Sequence, residues 1–127
     1  MDIVEIEREF IPKLRDANPE KRSDAAIILG EIRSQNAVVP LIECLKDPIE
    51  EVRKNVAKAL GYIKVIEAIS ALLQSLTDTS PFVRGNAFLA LSQFDDLQCK
   101  KEALRILENE DHPWVLHLIR RVKEGML

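Results

Sequence analysis

A repeat of 31 residues constrains the fold of this chain more than any other sequence feature. A shift of 31 places the four residues LGEI, which begin at Leu29, on the four residues LGYI, which begin at Leu60. A second shift of 31 places Leu60 on Leu91. A fixed period of this length is typical of proteins built from stacked, identical structural units.

Within each unit the apolar residues have the spacing of α-helices. One stripe of each unit falls at i, i+4, i+7, i+8 and i+11, the period of one helix face, and consists in the middle unit of Val52, Val56, Ala59, Leu60 and Ile63. A shorter second stripe follows in each unit, as in Leu72, Leu73 and Leu76. Each unit is therefore predicted to be two antiparallel helices. A hairpin this small cannot cover its own apolar faces, so neighbouring hairpins must stack.

The repeat phase divides the chain, interpreted as one domain over 1–127, into three full hairpins and two half repeats. The predicted ranges are a half repeat at 2–16, full repeats at 19–46, 48–77 and 80–109, and a half repeat at 112–124. Four prolines stand where a first helix begins, a position that tolerates proline: Pro19, Pro48, Pro81 and Pro113. Pro12 lies inside the opening helix and is expected to kink or shorten it.

The unit also resembles a known repeat family. The pattern V-R-x-x-V-x-x-A-L-G-x-I over 52–63, followed by an L-x-D ending at Asp78, resembles the HEAT-like repeats first named for phycobilin lyase subunits. This resemblance implies an all-α fold, a right-handed α-solenoid of the armadillo/HEAT type (an α-α superhelix). One departure is that Arg33, Lys64 and Asp95 stand where the family has glycine after the first helix.

The resemblance further implies that the second helices line a concave face, which we interpret as the binding surface of a non-catalytic adaptor or scaffold. Its surface is mixed in charge, which favours a protein or peptide partner over a polyanion. By phase, the residues of this predicted concave row are Val39, Glu43, Lys46, Ser70, Gln74, Thr77, Lys101, Arg105 and Glu108.

Aspartate and arginine recur six residues apart at one phase of the repeat. The resemblance implies that stacking joins them in a structural ladder, in which the planar guanidinium can hold a carboxylate and a loop carbonyl together. The residues of the predicted ladder are Asp16 and Arg22, Asp47 and Arg53, and Asp78 and Arg84.

No residues are predicted to be catalytic, to bind a metal or to bind a cofactor. His112 and His117 are five residues apart, whereas helical metal pairs are spaced by three or four. Cys44 and Cys99 belong to hairpins two repeats apart, too distant for a disulfide. With only two cysteines, the chain is expected to be cytoplasmic. No apolar run approaches the ~18 residues of a membrane span.

Three alternatives remain open at this point. The family resemblance allows an accessory subunit of a bilin lyase. A modest C-terminal group of basic residues allows weak nucleic-acid binding, although the net charge of −3 argues against it. The last helix has no helix after it to pack on, and this end of the chain carries Trp114, Leu116, Leu118, Met126 and Leu127, which suggests weak end-to-end self-association involving Trp114 or Leu116.

Overall fold

The computed structural model describes residues 1–125; Met126 and Leu127 lie outside the described residues. Over that range the chain is helical and contains no strand, so the predicted all-α solenoid class is confirmed. Short 3-10 turns at Gln35–Ala37 and Ile66–Ala68 lead into two of the helices. The α-helices in chain order are α1 (Ile3–Lys13), α2 (Pro19–Glu31), α3 (Val38–Cys44), α4 (Glu50–Ile63), α5 (Ile69–Ser75), α6 (Pro81–Ser92), α7 (Leu97–Ile106) and α8 (Pro113–Lys123).

The helix starts follow local sequence signals. The side chains of Asn18 and Ser80 accept hydrogen bonds from backbone N–H groups of the first turns of α2 and α6, which would otherwise lack partners. Proline then occupies the first position of α2, α6 and α8. Pro12 lies in the last turn of α1, which ends at Lys13 instead of the predicted residue 16.

The ends of two first helices adopt the backbone conformation for which the family uses glycine. Arg33 and Lys64 have φ values of 54° and 56°, in the left-handed region. A side chain in this region costs about 1–2 kcal/mol because its Cβ crowds the following carbonyl oxygen. The chain therefore carries strain at both turns that a glycine would remove.

We expect Lys64→Gly to stabilise the protein by about 0.5–1 kcal/mol, since relief of this strain exceeds the extra unfolded-state entropy of glycine. The measurement is urea unfolding followed by circular dichroism. Lys58→Gly is the matched control, because Lys58 is an exposed lysine inside α4, where glycine costs about 1 kcal/mol. A loss of stability in both variants would contradict the assigned strain.

The stacked hairpins share one apolar core. The α4 stripe lies inside it, with Val52, Val56 and Leu60 all inaccessible to solvent. Leucines of the second helices, such as Leu41 and Leu72, meet them from the other layer. The core continues from Leu14 to Ile119, so each hairpin is covered by its neighbours.

The first helices pack more closely from repeat to repeat than the second helices do. A Cβ atom on Gly30 of α2 would lie 2.7 Å from both Cα and Cβ of Ala59 in α4. Gly61 of α4 meets Ala90 of α6 in the same way, at 3.0 Å from its Cβ. By contrast, a cleft of about 470 Å³ separates α3 from α5. A stack bends towards its tighter edge, so we infer that the first helices line the inner side of the curve.

This packing argues against the predicted concave face. The second helices, which carry Val39, Glu43, Lys46 and the other six residues of the predicted concave row, form the splayed outer edge. All nine of these residues are exposed. The physical reason is the small residues at positions 30 and 61, which let first helices approach until their backbones touch. The interior of the curve is consequently built from a different set of side chains.

Candidate binding surface

The inner face consists of the solvent-facing positions of the first helices. They fall at i, i+4, i+7 and i+11 of each helix, opposite the buried stripe, and so lie on one side. On α2, α4 and α6 these positions are Glu20, Asp24, Ile27, Glu31, Glu51, Asn55 (which is buried), Lys58, Tyr62, Phe82, Asn86, Leu89 and, just after α6, Gln93; on α8 the accessible ones are Trp114 and Arg121.

A cleft lies at the centre of the inner face, between α4 and α6. Its volume is about 240 Å³, with Tyr62 and Leu89 on its sides and the small residues Gly61 and Ala90 among its lining. Because Gly61 and Ala90 are small, the cleft lies open above the point where the two backbones approach each other. The Tyr62 side chain also borders a smaller neighbouring cleft of about 90 Å³, towards α2.

Three large apolar side chains are exposed on the inner face. Tyr62 is 47% exposed and Ile27 is 38% exposed, although neither is at a chain end. Phe82, at 45%, contacts the rings of Trp114 and His112 with centroids 5.9 and 5.7 Å apart. Exposed aromatic groups around a polar-rimmed cleft are typical of protein-binding surfaces.

Charge on the inner face changes sign along the stack. α2 contributes Glu20, Asp24 and Glu31, and none of the three forms a salt bridge with the described residues. The four α6 positions are uncharged. Lys58 of α4 and Arg121 of α8 are the cations of this face without a salt-bridge partner in residues 1–125. The surface is therefore acidic at α2 and basic towards α8.

The predicted concave row is not joined into one site. Lys46, Ser70 and Gln74 line the cleft between α3 and α5. Arg105 instead pairs with Glu102 on its own helix, 2.6 Å away. Val39 is 67% exposed on α3. The residues of the inner face were missed in the sequence because the side of the curve was assigned from the resemblance. The glycines at 30 and 61 were the available signal.

The arginines of the predicted ladder link successive repeats. Nη1 of Arg53 donates to the carbonyl oxygen of Asp47, six residues earlier, at 2.9 Å. Its Nε and Nη2 donate to the carboxylate of Asp78, 25 residues later, at 2.9 and 3.1 Å. Arg22 contacts Asp47 in the same arrangement. The aspartate six residues before each arginine thus provides a backbone carbonyl oxygen. The carboxylate that the arginine binds belongs to the aspartate of the next repeat.

The ends of this ladder differ from the predicted pattern. The Asp16 carboxylate accepts a hydrogen bond from the Asn18 N–H instead of from an arginine. Arg84 pairs with Glu110, at 2.7 and 2.8 Å. Glu110 was missed because one inserted residue moves the carboxylate out of the 31-residue phase, where Asn109 stands. The Arg84 hydrogen bond, more than any other contact, lowers the pKa of the Glu110 carboxyl group.

Because the pKa of Glu110 is lowered in the folded protein, the stability of the protein is predicted to fall at acidic pH. Folding stabilises the charged form of Glu110, so this stabilisation is complete above the unfolded-state pKa near 4.3 and is lost as pH falls through the folded-state pKa. We expect Glu110→Gln to be less stable than the wild type at pH 7 and to lose less stability between pH 5 and pH 3. Urea unfolding across this range measures both effects. Glu108→Gln, an exposed glutamate outside the salt bridges of the described residues, should match the wild-type pH dependence.

The residues considered for chemistry have structural environments. His112 caps α8, where its Nδ1 accepts from the Trp114 N–H at 3.2 Å, and His117 is exposed. Burial raises the pKa of the thiol groups of both Cys44 and Cys99, which disfavours the reactive thiolate. Within residues 1–125, no helix is both long and apolar enough for a membrane span.

The last helix buries more of its apolar side chains than the self-association hypothesis assumes. The Trp114 indole lies over Gly85 of α6, where a Cβ atom would overlap the ring. Leu118 is 5% exposed. The Trp114 ring is therefore half-buried in the recess that the glycine creates, Leu118 is buried, and self-association stays a prediction. Leu116 remains 41% exposed. Met126 and Leu127, named in the same hypothesis, lie outside the described residues.

These features define a short α-solenoid of stacked helical hairpins with an open inner face. The model of the family described as HEAT repeats matches residues 7–92. The chain therefore belongs to the HEAT repeat family. A comparison with curated proteins gave no match.

Two solved structures are similar to the chain, and both are crystal structures of engineered proteins. The first has a TM-score of 0.61 at 23% identity, over 97% of this chain and 69% of the other. The second has a TM-score of 0.59 at 23% identity, over 97% of this chain and 41% of the other. At this identity the similarity concerns the fold alone.

Proposed function

We propose that the chain is a non-catalytic protein-binding adaptor or scaffold that uses the inner face of its first helices. Membership of the HEAT repeat family supports a role in protein interaction. The observation that carries the choice of surface is the central cleft beside Tyr62, since an exposed aromatic side chain next to the small residues Gly61 and Ala90 offers an anchoring pocket. The outer edge offers a larger but more polar cleft between α3 and α5.

The experiment is affinity capture from the native source by wild-type protein and by two matched variants, followed by mass spectrometry. Tyr62→Ser removes an exposed side chain of the inner face, and Val39→Ser removes one of the outer row. We expect the specifically retained proteins to be lost with Tyr62→Ser and kept with Val39→Ser, because aromatic anchors dominate binding energy. Circular dichroism melts establish that both variants are folded. The reverse pattern would assign binding to the outer row and overturn the proposal.

A further inference from the structure

We propose that the inner face recognises a peptide segment with a basic residue at one end, a large apolar residue in the middle and an acidic residue at the other end. The segment lies across the helices, from α2 to α8. This inference rests on the proposed function and adds the chemistry of the partner.

The charge order follows from the unpaired ionic groups of the inner face. Glu20, Asp24 and Glu31 are exposed on α2 and have no salt-bridge partner among the described residues. Three carboxylates on one helix face repel one another, and a lysine or arginine of a partner would relieve that repulsion. The same three carboxylates oppose a phosphate backbone, so the complementary ligand has mixed charge instead of being a polyanion.

The opposite end requires the opposite charge. Arg121 of α8 forms no salt bridge within residues 1–125, and neither does Lys58 at the border of the central cleft. No carboxylate stands on the inner face of α6 between them. An acidic partner residue over α8 therefore meets Arg121, whereas Lys58 lies nearer the centre of the face and shares a small cleft with Glu31.

The middle position is set by the central cleft. Its volume of about 240 Å³ and its lining by Tyr62, Gly61, Leu89 and Ala90 suit one leucine-sized or aromatic side chain. Asn86 and Gln93 provide polar groups at its rim, where they can bond the backbone of the bound segment. An apolar anchor surrounded by polar groups is the common arrangement of an interface hot spot.

The helix spacing fixes the length of the segment. Packed helices lie 8–10 Å apart, so the three steps from α2 to α8 span roughly 24–30 Å. An extended chain covers this with about seven to nine residues at ~3.3 Å each. The cleft lies near the middle of that span, which places each charged residue about four positions from the anchor.

The probe is a display library of random nine-residue peptides, selected against the immobilised wild-type protein. We expect enriched peptides to carry lysine or arginine at one end, a large apolar residue centrally and aspartate or glutamate at the other end. Synthetic versions with blocked termini should bind Tyr62→Ser at least about tenfold more weakly than the wild type. Raising the salt concentration should also weaken binding to the wild-type protein, because the contacts of both charged peptide ends lie at the surface.

Charge reversal tests the order directly. Selection against the double variant Asp24→Lys with Glu31→Lys should remove the preference for a basic residue at that end, whereas Glu108→Lys, an exposed outer-edge control, should preserve it. Peptides that need Tyr62 but show no opposed charges would overturn this inference and leave the proposed function intact. Peptides that bind independently of Tyr62, or no enrichment at all, would overturn both.

A second copy of the chain is the remaining occupant that the test distinguishes. Sedimentation velocity at increasing protein concentration would show a dimer if the inner face paired with itself. A dimer that Tyr62→Ser dissolves would assign the inner face to self-association and overturn the peptide inference. We expect the wild type and the variant to sediment alike.

Discussion

Replacing Arg53 with alanine is expected to lower the free energy of unfolding by about 3 kcal/mol and the melting temperature by roughly 10 °C. Arg53 donates four hydrogen bonds, to the Asp78 carboxylate and to the carbonyl oxygens of Asp47 and Pro48. The Arg53 and Asp78 side chains are only 14% and 12% exposed. The variant leaves the Asp78 carboxylate largely buried without its cation, which costs more than loss of an exposed pair.

Two further substitutions separate this effect from a general effect of charge. Arg53→Lys keeps the charge but cannot reproduce the planar, bidentate contact, so we expect a loss of about 1–2 kcal/mol. Arg15→Ala breaks the Arg15–Glu43 pair, whose side chains are 75% and 58% exposed, and should change stability by less than about 0.5 kcal/mol. Calorimetry and urea unfolding measure all three variants.

The ladder is expected to stabilise the stack and to take no part in partner binding. Arg53 lies at the edge between repeats, away from Tyr62 and the central cleft. Below its melting temperature, Arg53→Ala should therefore retain the partners that the wild type captures. A variant with wild-type stability that no longer binds would show that the ladder contacts the partner.

The repeat phase was sufficient to predict the fold class because it encodes local helix periodicity and the need to stack. The spacing of Val52, Val56 and Leu60 determines which helix face is buried whatever the partner helix is. The ladder aspartates could likewise be placed by phase. The Arg84–Glu110 contact could not, because a one-residue insertion changes which side chain reaches the guanidinium, and only three-dimensional geometry reveals this.

The side of the curve could not be predicted from apolar periodicity, because both helices of each hairpin bury a stripe. Curvature depends on the difference between two interhelical distances, and this difference is set by single side chains. Gly30 and Gly61 allow the first helices to approach, whereas the corresponding second-helix contacts leave a cleft. As a result, the nine residues of the predicted concave row lie on the looser edge of the stack, and Tyr62 and Leu89 were overlooked.

Replacing Gly30 provides the second large effect, because this residue sets the tight edge of the stack. In Gly30→Ala the new Cβ would lie 2.7 Å from Cα and Cβ of Ala59. Since Ala59 Cα is backbone, α2 and α4 must move apart. Alanine favours helix over glycine by about 1 kcal/mol, yet we expect a net loss of about 2 kcal/mol, and of more than 3 kcal/mol for Gly30→Leu, by overpacking.

Gly61 provides the matched comparison, since it occupies the same phase one repeat later. Its added Cβ would lie 3.0 Å from Ala90 Cβ and 3.1 Å from Ala90 Cα, a contact that small shifts can relieve. Helix propensity should offset much of that cost, so Gly61→Ala should change stability by less than about 1 kcal/mol. Urea unfolding at neutral pH ranks the variants. Equal destabilisation at Gly30 and Gly61 would contradict the difference in separation, and no destabilisation at Gly30 would contradict the close approach that places the first helices inside the curve.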